Sequence, residues 1–147
     1  MKFILKYFDK LTPAELHDLL QLREEVFQLE QDCLYKDIDG KDPKCWHLLY
    51  FHHQELVAYA RLVPPGVSYE GYSSIGRVVS SPQYRKEGYG RILMQEAIDK
   101  TQQLFPGIPI KISAQSYLQK FYHGFGFKVS SEPYLEDNIP HMEMILS

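Results

Sequence analysis

Apolar and polar positions along this chain follow two periods, and the points where one gives way to the other mark out its elements. The opening run, Met1-Lys2-Phe3-Ile4-Leu5-Lys6-Tyr7-Phe8-Asp9, reads as a strand. Thr12-Pro13-Ala14-Glu15 is a capping box with proline at the first helical position. The helix it opens carries Leu16, Leu19, Leu20, Val26 and Phe27 on one face. Continuing that stripe puts Arg23 and Glu30 on or beside the buried side. Charged residues rarely enter a core unpaired, so these two either pair within the fold or border a polar pocket. Residues 31–44 are polar and turn-rich, with breakers at Asp39-Gly40 and Asp42-Pro43, and are expected to form an ordered loop.

Two apolar runs, Trp46 to Phe51 and Leu56 to Val63, are joined across His52-His53-Gln54-Glu55 and predict a hairpin. Two adjacent histidines at such a turn read as solvated rather than metal-binding. Ser74 to Val79 is a third strand of this group. A helix is predicted from about Glu87 to Phe105, with the stripe Leu93/Met94, Ala97/Ile98, Thr101, Leu104/Phe105, and Pro106-Gly107 ends it. Ile108, Ile110, Ile112 and Ala114 alternate with polar neighbours as the next strand. A short helix, Ser116 to His123, presents Leu118, Phe121 and Phe125 to the core. Phe127 to Tyr134 and His141 to Leu146 close the chain as two further strands. The sum is one α/β domain over residues 1–147, with a mixed central sheet and helices on both faces.

Composition narrows the function classes. The 147 residues suit one core, and 44% hydrophobic with 24% charged residues indicates a globular chain. A net charge of −3 argues against bulk binding to nucleic acid or to an anionic membrane. No apolar run approaches the roughly 18 residues of a membrane span, and the N-terminus is too short and too charged for a signal peptide. Cys33 and Cys45 lie in no CxxC or Cys/His pattern, so they are expected as reduced thiols of a cytoplasmic protein that holds no metal.

The candidate chemistry begins at Tyr84-Arg85-Lys86-Glu87-Gly88-Tyr89-Gly90-Arg91. Glycine in a helix costs roughly 1 kcal/mol relative to alanine, yet two stand where the long helix starts. Bare backbone at a helix start suits an anion, because the first amides lack intrahelical partners and the macrodipole is positive there. Arg85, Lys86 and Arg91 would add charge. The structural alternative is that the glycines only allow close packing of helix on sheet. No P-loop pattern is present, and a dinucleotide fingerprint would need a small residue at Leu93.

The spacing Arg85-x-x-Gly88-x-Gly90 resembles the acyl-CoA signature [RQ]xxGx[GA] of the GNAT N-acyltransferases. Downstream, Phe121-Tyr122-His123-Gly124-Phe125-Gly126-Phe127 matches that family's FYxxxGF ending. More narrowly, the chain resembles the ElaA-type branch, through stretches such as Leu22-Arg23-Glu24-Glu25-Val26-Phe27, Asp39-Gly40-Lys41-Asp42, Ala58-Tyr59-Ala60-Arg61-Leu62, Ile75-Gly76-Arg77-Val78-Val79 and Tyr134-Leu135-Glu136-Asp137-Asn138-Ile139-Pro140-His141. Lys86 departs from the glycine common there, but only its backbone amide is needed.

The resemblance implies a GNAT-like fold with a splayed cofactor cleft between the strands at 74–79 and 108–114. Acetyl-CoA would lie there, its pantetheine arm along Val78, Val79 and Ser80 and its pyrophosphate on the amides of Lys86, Glu87, Gly88, Tyr89, Gly90 and Arg91, beside Arg85. A backbone amide near Val78 or Val79 would meet the thioester oxygen, and an amine would attack directly in a ternary complex; an acyl carrier at Cys33 is the alternative. Tyr122 would protonate the leaving sulfur, its other reading being an aromatic at the edge of the helix stripe. Glu30, Glu136, Asp137, His141 or a chain of waters could take the amine's proton. Arg23, Arg77, Glu136 and Asp137 would border the acceptor, expected to be a small cationic amine or a lysine side chain. Arg77 would repel such an acceptor unless an acid pairs with it, so either a carboxylate partner or a carboxylate-bearing substrate is expected. A second copy of the chain is a candidate partner. The competing class is a non-catalytic acyl-CoA-binding or regulatory module on the same fold.

Overall fold

Alternation along the first four strands creates two apolar faces, and each collects its own helix. The structure, a computed structural model, describes residues 2–30 and 35–147. Strands β1 (Lys2–Tyr7), β2 (Trp46–His52), β3 (Glu55–Val63) and β4 (Ser74–Ser80) form an antiparallel sheet in that order. Leu49, Tyr59 and Val79 point to one face and pack with Leu19 and Leu22 of helix α1 (Pro13–Arg23) and with Val26 just beyond it. Leu48, Ala58, Ala60 and Leu62 point to the other and pack with Leu93, Met94, Ala97 and Ile98 of helix α2 (Tyr89–Leu104). Neighbouring residues of one strand thus serve opposite cores. Full burial stabilises each such leucine by about 1.5–3 kcal/mol.

A second antiparallel group follows. Strand β5 (Ile110–Gln115) is followed by the short helix α3 (Gln119–His123), then β6 (Lys128–Val129), β7 (Tyr134–Glu136) and β8 (Ile139–Leu146). Their order is β5-β8-β6, with β7 also paired to β8. The two groups join through a parallel bridge between Ser73 and Ile110, where Ser73 N–H donates to Pro109 O at 3.1 Å and Lys111 N–H to Ser73 O at 2.9 Å. Past that bridge, β4 and β5 belong to different sheets. The sheet is split where the cofactor cleft was expected.

Several elements differ in detail from the sequence reading. The capping box forms, with Glu15 N–H on Thr12 Oγ1 at 3.1 Å and Thr12 N–H on Glu15 Oε1 at 2.9 Å. After Arg23 the helix rewinds into a π-helix over Glu24–Glu30, so the predicted α-periodic stripe does not run on unbroken. The β2–β3 hairpin is tighter than expected: His53 (φ 50°) and Gln54 (φ 67°) make a two-residue turn, the left-handed pair that matches strand twist. Residues Phe127 to Tyr134 do not form one strand. Pro133 supplies no amide to a ladder, and pairing is confined to Lys128–Val129 and a separate piece from Tyr134. Among the described residues, no helix is long and apolar enough to cross a membrane.

Candidate active site

A register shift in β4 sets up the site. Tyr59 pairs with Val79 and Arg61 with Gly76, so Arg77 and Val78 together oppose Ala60. Such a bulge leaves one residue outside the ladder and re-aims its neighbours. Arg77 takes φ 51°, a left-handed conformation that costs a non-glycine residue roughly 1–2 kcal/mol. The bulge faces a cleft of about 730 Å³ between the diverging strands. Val78 and Ser80 line it, as do Ile112, Ser113 and Gln115 from β5. Val79 points away, 3% exposed, into the α1 core.

Beside the bulge, three arginines and three aspartates close into a ring. Arg23 donates Nε to Asp37 Oδ2 at 3.0 Å and Nη1 to Asp42 Oδ1 at 2.9 Å. Asp37 Oδ1 accepts from Arg77 Nε at 2.8 Å, and Arg77 Nη2 reaches Asp39 Oδ2 at 3.3 Å. Asp39 takes both terminal nitrogens of Arg61 at 2.9 Å, and Arg61 Nη1 returns to Asp42 Oδ1 at 3.0 Å. Arg23 is 0% exposed and Arg61 4%, so the alternation of signs is what makes this burial tolerable. Burial opposes ionisation of Asp39 and Asp42, but hydrogen bonds from Arg61 and Arg23 outweigh it and hold both carboxyls below the usual carboxylate range. His47 lies beneath the ring; its Nε2 donates to Asp42 O at 3.0 Å, and its Nδ1 is 2.6 Å from the Tyr59 hydroxyl.

The far wall comes from β5, α3 and the β7–β8 hairpin. Tyr122 lines the cleft at 8% exposure, and burial pushes its phenol up to about 12, so it keeps its proton at neutral pH. His141 is 6% exposed and also lines the cleft. Its Nδ1 is 2.7 Å from Ile139 O, and a carbonyl only accepts, so Nδ1 carries the hydrogen. In the neutral ring Nε2 then holds a lone pair, with Glu136 Oε2 at 3.4 Å. The Ser113 hydroxyl bonds to Tyr134 and lies 3.4 Å from Glu136 Oε1. Glu136 and Asp137 both line the cleft, Asp137 from a left-handed turn position (φ 52°).

At the opposite end, a 3₁₀ turn over Pro82–Glu87 leads into Gly88 (φ 77°), which caps α2. A Cβ placed on Gly88 or Gly90 would meet nothing within 4 Å. Close packing therefore does not account for either glycine. Gly88 N–H already serves Arg85 O at 3.4 Å, and the α2 ladder opens with Ile92 N–H on Gly88 O at 3.3 Å. The amides of Tyr89, Gly90 and Arg91 come before that first bond. The helix starts two residues later than predicted, and the Tyr89 side chain, 3% exposed, packs into the core beside Tyr50.

A family profile described as an acetyltransferase (GNAT) domain matches residues 10–147. The chain belongs to the GNAT family. Escherichia coli ElaA is 41% identical over 140 residues, covering 94% of this chain and 91% of its own, which puts the chain in the ElaA-type branch. A UPF0039 protein of Schizosaccharomyces pombe is 45% identical over 148 residues, covering 99% and 97% of the two chains. The crystal structure of an acyl-CoA N-acyltransferase from Pseudomonas aeruginosa superposes with a TM-score of 0.94 at 42% identity, and that of E. coli ElaA with 0.93 at 38%, each over 100% of both chains.

Set against what GNAT membership led the sequence to expect, Val79 turns to the α1 core, and Gly88, Tyr89, Gly90 and Arg91 stand at the start of α2. Arg77, Val78, Ser80, Arg85, Tyr122, Glu136, Asp137 and His141 line one cleft. Arg23 does not; it sits wholly buried behind the wall, held by Asp37 and Asp42. The Glu30 and Lys86 and Glu87 side chains, and Cys33, lie outside the described residues. Cys45 is buried, and burial pushes its thiol up to about 11. Arg77 has the acid partners whose need was inferred, Asp37 and Asp39. Sequence reasoning missed Asp37, Asp39, Asp42 and Arg61. The available signal was three aspartates spaced along one turn-rich loop and an arginine embedded in the apolar run of β3.

Proposed function

We propose that the chain is an N-acetyltransferase that carries an acetyl group from acetyl-CoA to a primary amine by direct attack in a ternary complex. The observation that carries this reading is the β4 bulge, which opens onto a cleft that also holds Tyr122 and His141. Family membership supports acyl transfer in general, and the Pseudomonas aeruginosa neighbour is described as an acyl-CoA N-acyltransferase. The open space at Gly88 and Gly90 supports a diphosphate on the amides of Tyr89, Gly90 and Arg91, with Arg85 and Arg91 close by. The pantetheine arm would then pair with the backbone of Val78 to Ser80.

In that pose the amine lone pair forms a C–N bond to the thioester carbon, and the carbonyl electrons move to oxygen. A β4 amide at Val78 or Val79 receives the negative charge, the kind of preorganised donor that contributes about 3–4 kcal/mol in acyl transfer. Collapse re-forms C=O and breaks C–S. The sulfur leaves with a proton from Tyr122, and the nitrogen's proton passes to His141 Nε2. The Glu136 carboxylate then stabilises the charged imidazole. Carboxylates at Glu136 and Asp137 in the cleft favour a cationic amine as acceptor. The ring cancels the charge of Arg61 and Arg77, so neither opposes such a substrate.

Purified chain, acetyl-CoA and a panel of diamines, polyamines, amino acids and lysine peptides provide the test. Thiol release that depends on the amine, with acetylated amine found by mass spectrometry, is the expected result. Coenzyme binding without amine-dependent release across the panel would instead make the chain a binding module.

A further inference from the structure

The strained residue of the bulge is also held by three hydrogen bonds from its own side chain. Arg77 holds its left-handed backbone while its guanidinium bonds to the Asp37 side chain at 2.8 Å, the Asp37 carbonyl at 3.1 Å and Asp39 at 3.3 Å. Asp37 is itself fixed from the core. Arg23 donates Nε to its carboxylate at 3.0 Å and Nη2 to its carbonyl at 2.9 Å, so two arginines together occupy both carboxylate oxygens and share the carbonyl of one residue. Across the register, Arg61 pairs with Gly76 next to the bulge and enters the same ring. Both strands at the bulge and the end of α1 therefore converge on one loop. Backbone strain at a working site persists where its surroundings over-determine it.

We propose that Asp37 is a positioning residue for acyl transfer: through Arg77 it fixes the β4 bulge whose freed amide meets the thioester oxygen. This rests on the reading of β4 as the coenzyme strand. Asp37 forms and breaks no bond in the reaction, and its charge is spent on two arginines. Its contribution is registration of the amide. Misplacing a reacting group by about 1 Å can cost on the order of a hundredfold in rate, which is the scale to expect when the clamp is cut.

The experiment uses the whole chain, and its spectroscopic arm needs no acceptor. In ¹H–¹⁵N spectra, exchanging coenzyme A for acetyl-CoA should move the amide of Val78 or Val79, because the acetyl carbonyl is the difference between the ligands. In Asp37→Asn that acetyl-dependent shift should fall by at least half, while coenzyme A affinity by calorimetry stays within about twofold. Thiol release with 1,5-diaminopentane should drop at least tenfold at an unchanged KM. Arg77→Gly tolerates the left-handed backbone and guards against loss of fold in the first variant. It should reproduce the defect, and adding Asp37→Asn to it should change nothing further. A full acetyl-dependent shift in both variants overturns the proposal, as does a raised acceptor KM with intact turnover in Arg77→Gly, which would make Arg77 an acceptor contact. Wild-type protein that binds no coenzyme, or binds it without moving either amide, removes the underlying reading first and this inference with it.

Discussion

The two ends of the cleft treat positive charge in opposite ways. Around residues 82–91 the arginines are exposed: Arg91 lies over the Phe125 ring at 5.6 Å, and Arg85 reaches a carbonyl, Ser80 O, at 3.4 Å. Around the bulge, Arg23 and Arg61 are buried and every arginine meets a carboxylate within 3.0 Å. Under the proposed reading, the exposed Arg91 beside the first amides of α2 would meet a diphosphate. Buried cations in a closed ring are neutral as a group and act on geometry instead. In the proposed reading the same residue type would bind at one end and brace at the other, and burial separates the two roles.

The comparison predicts its largest effect at the bracing end. Arg23→Met leaves Asp37 and Asp42 short of a cation in a buried setting, which should destabilise the fold by about 3–5 kcal/mol in urea denaturation. A loss below about 1 kcal/mol would mean that the ring relaxes around the gap, and the bracing role would not stand. Between the two ends lies Tyr122. Tyr122→Phe should lower amine-dependent turnover by roughly ten- to a hundredfold and leave coenzyme affinity unchanged. Because the phenol sits near 12, no alkaline loss of wild-type activity from its ionisation should appear below about pH 11. Equal turnover in the variant would remove Tyr122 from the reaction and return it to the core.

Acid sharpens the contrast next. Asp39 and Asp42 have folded-state values below their unfolded ones, so their stabilisation is complete above about pH 4 and is lost as pH falls through the folded values. Each extra proton on the unfolded chain steepens the loss by about 1.4 kcal/mol per pH unit. Denaturation at pH 5, 4 and 3 should therefore give a shallower decline in Asp39→Asn than in wild type. Parallel declines would show that the ring does not set acid stability.

What the sequence made legible follows the same division. The glycine motif, the capping box and the α2 stripe depend on residues within a turn or two of one another, and each was readable from spacing. The ring was not, because its pairs lie 14, 19, 22, 38 and 40 residues apart and nothing in the local pattern of Arg23, Arg61 or Arg77 names a partner. Only the need for compensation could be inferred, and for Arg77 it was. The π-helix after Arg23 was hidden for a related reason. Its winding is a tertiary choice, and an α-helical extrapolation carried the stripe past it. The break in the strand after Phe127 was signalled by Pro133 and by the polar Ser130-Ser131-Glu132 before it, cues that the sequence reading did not use.

A smaller effect, with two opposite signs, separates binding from packing at Gly90. It sits inside the first turn of α2 with open space where a Cβ would go. Gly90→Ala should stabilise the fold by up to about 1 kcal/mol through helix propensity alone. The same methyl would stand among the amides that a diphosphate must approach, so coenzyme A affinity should fall about tenfold. A more stable protein with unchanged affinity would move the diphosphate elsewhere.

The smallest effect belongs to Arg91, and it is the one that defines the binding end as electrostatic. Its guanidinium is exposed and lies over the face of Phe125 at 5.6 Å. Arg91→Ala should leave the melting temperature within about 2 °C, since surface changes of this kind shift stability little. Coenzyme A affinity should weaken only about threefold at low salt, and the difference from wild type should shrink as salt approaches 0.5 M, where charges more than about 5 Å apart are screened. A salt-independent deficit would point to a lost hydrogen bond or a disturbed Phe125, placing Arg91 with the bracing arginines after all.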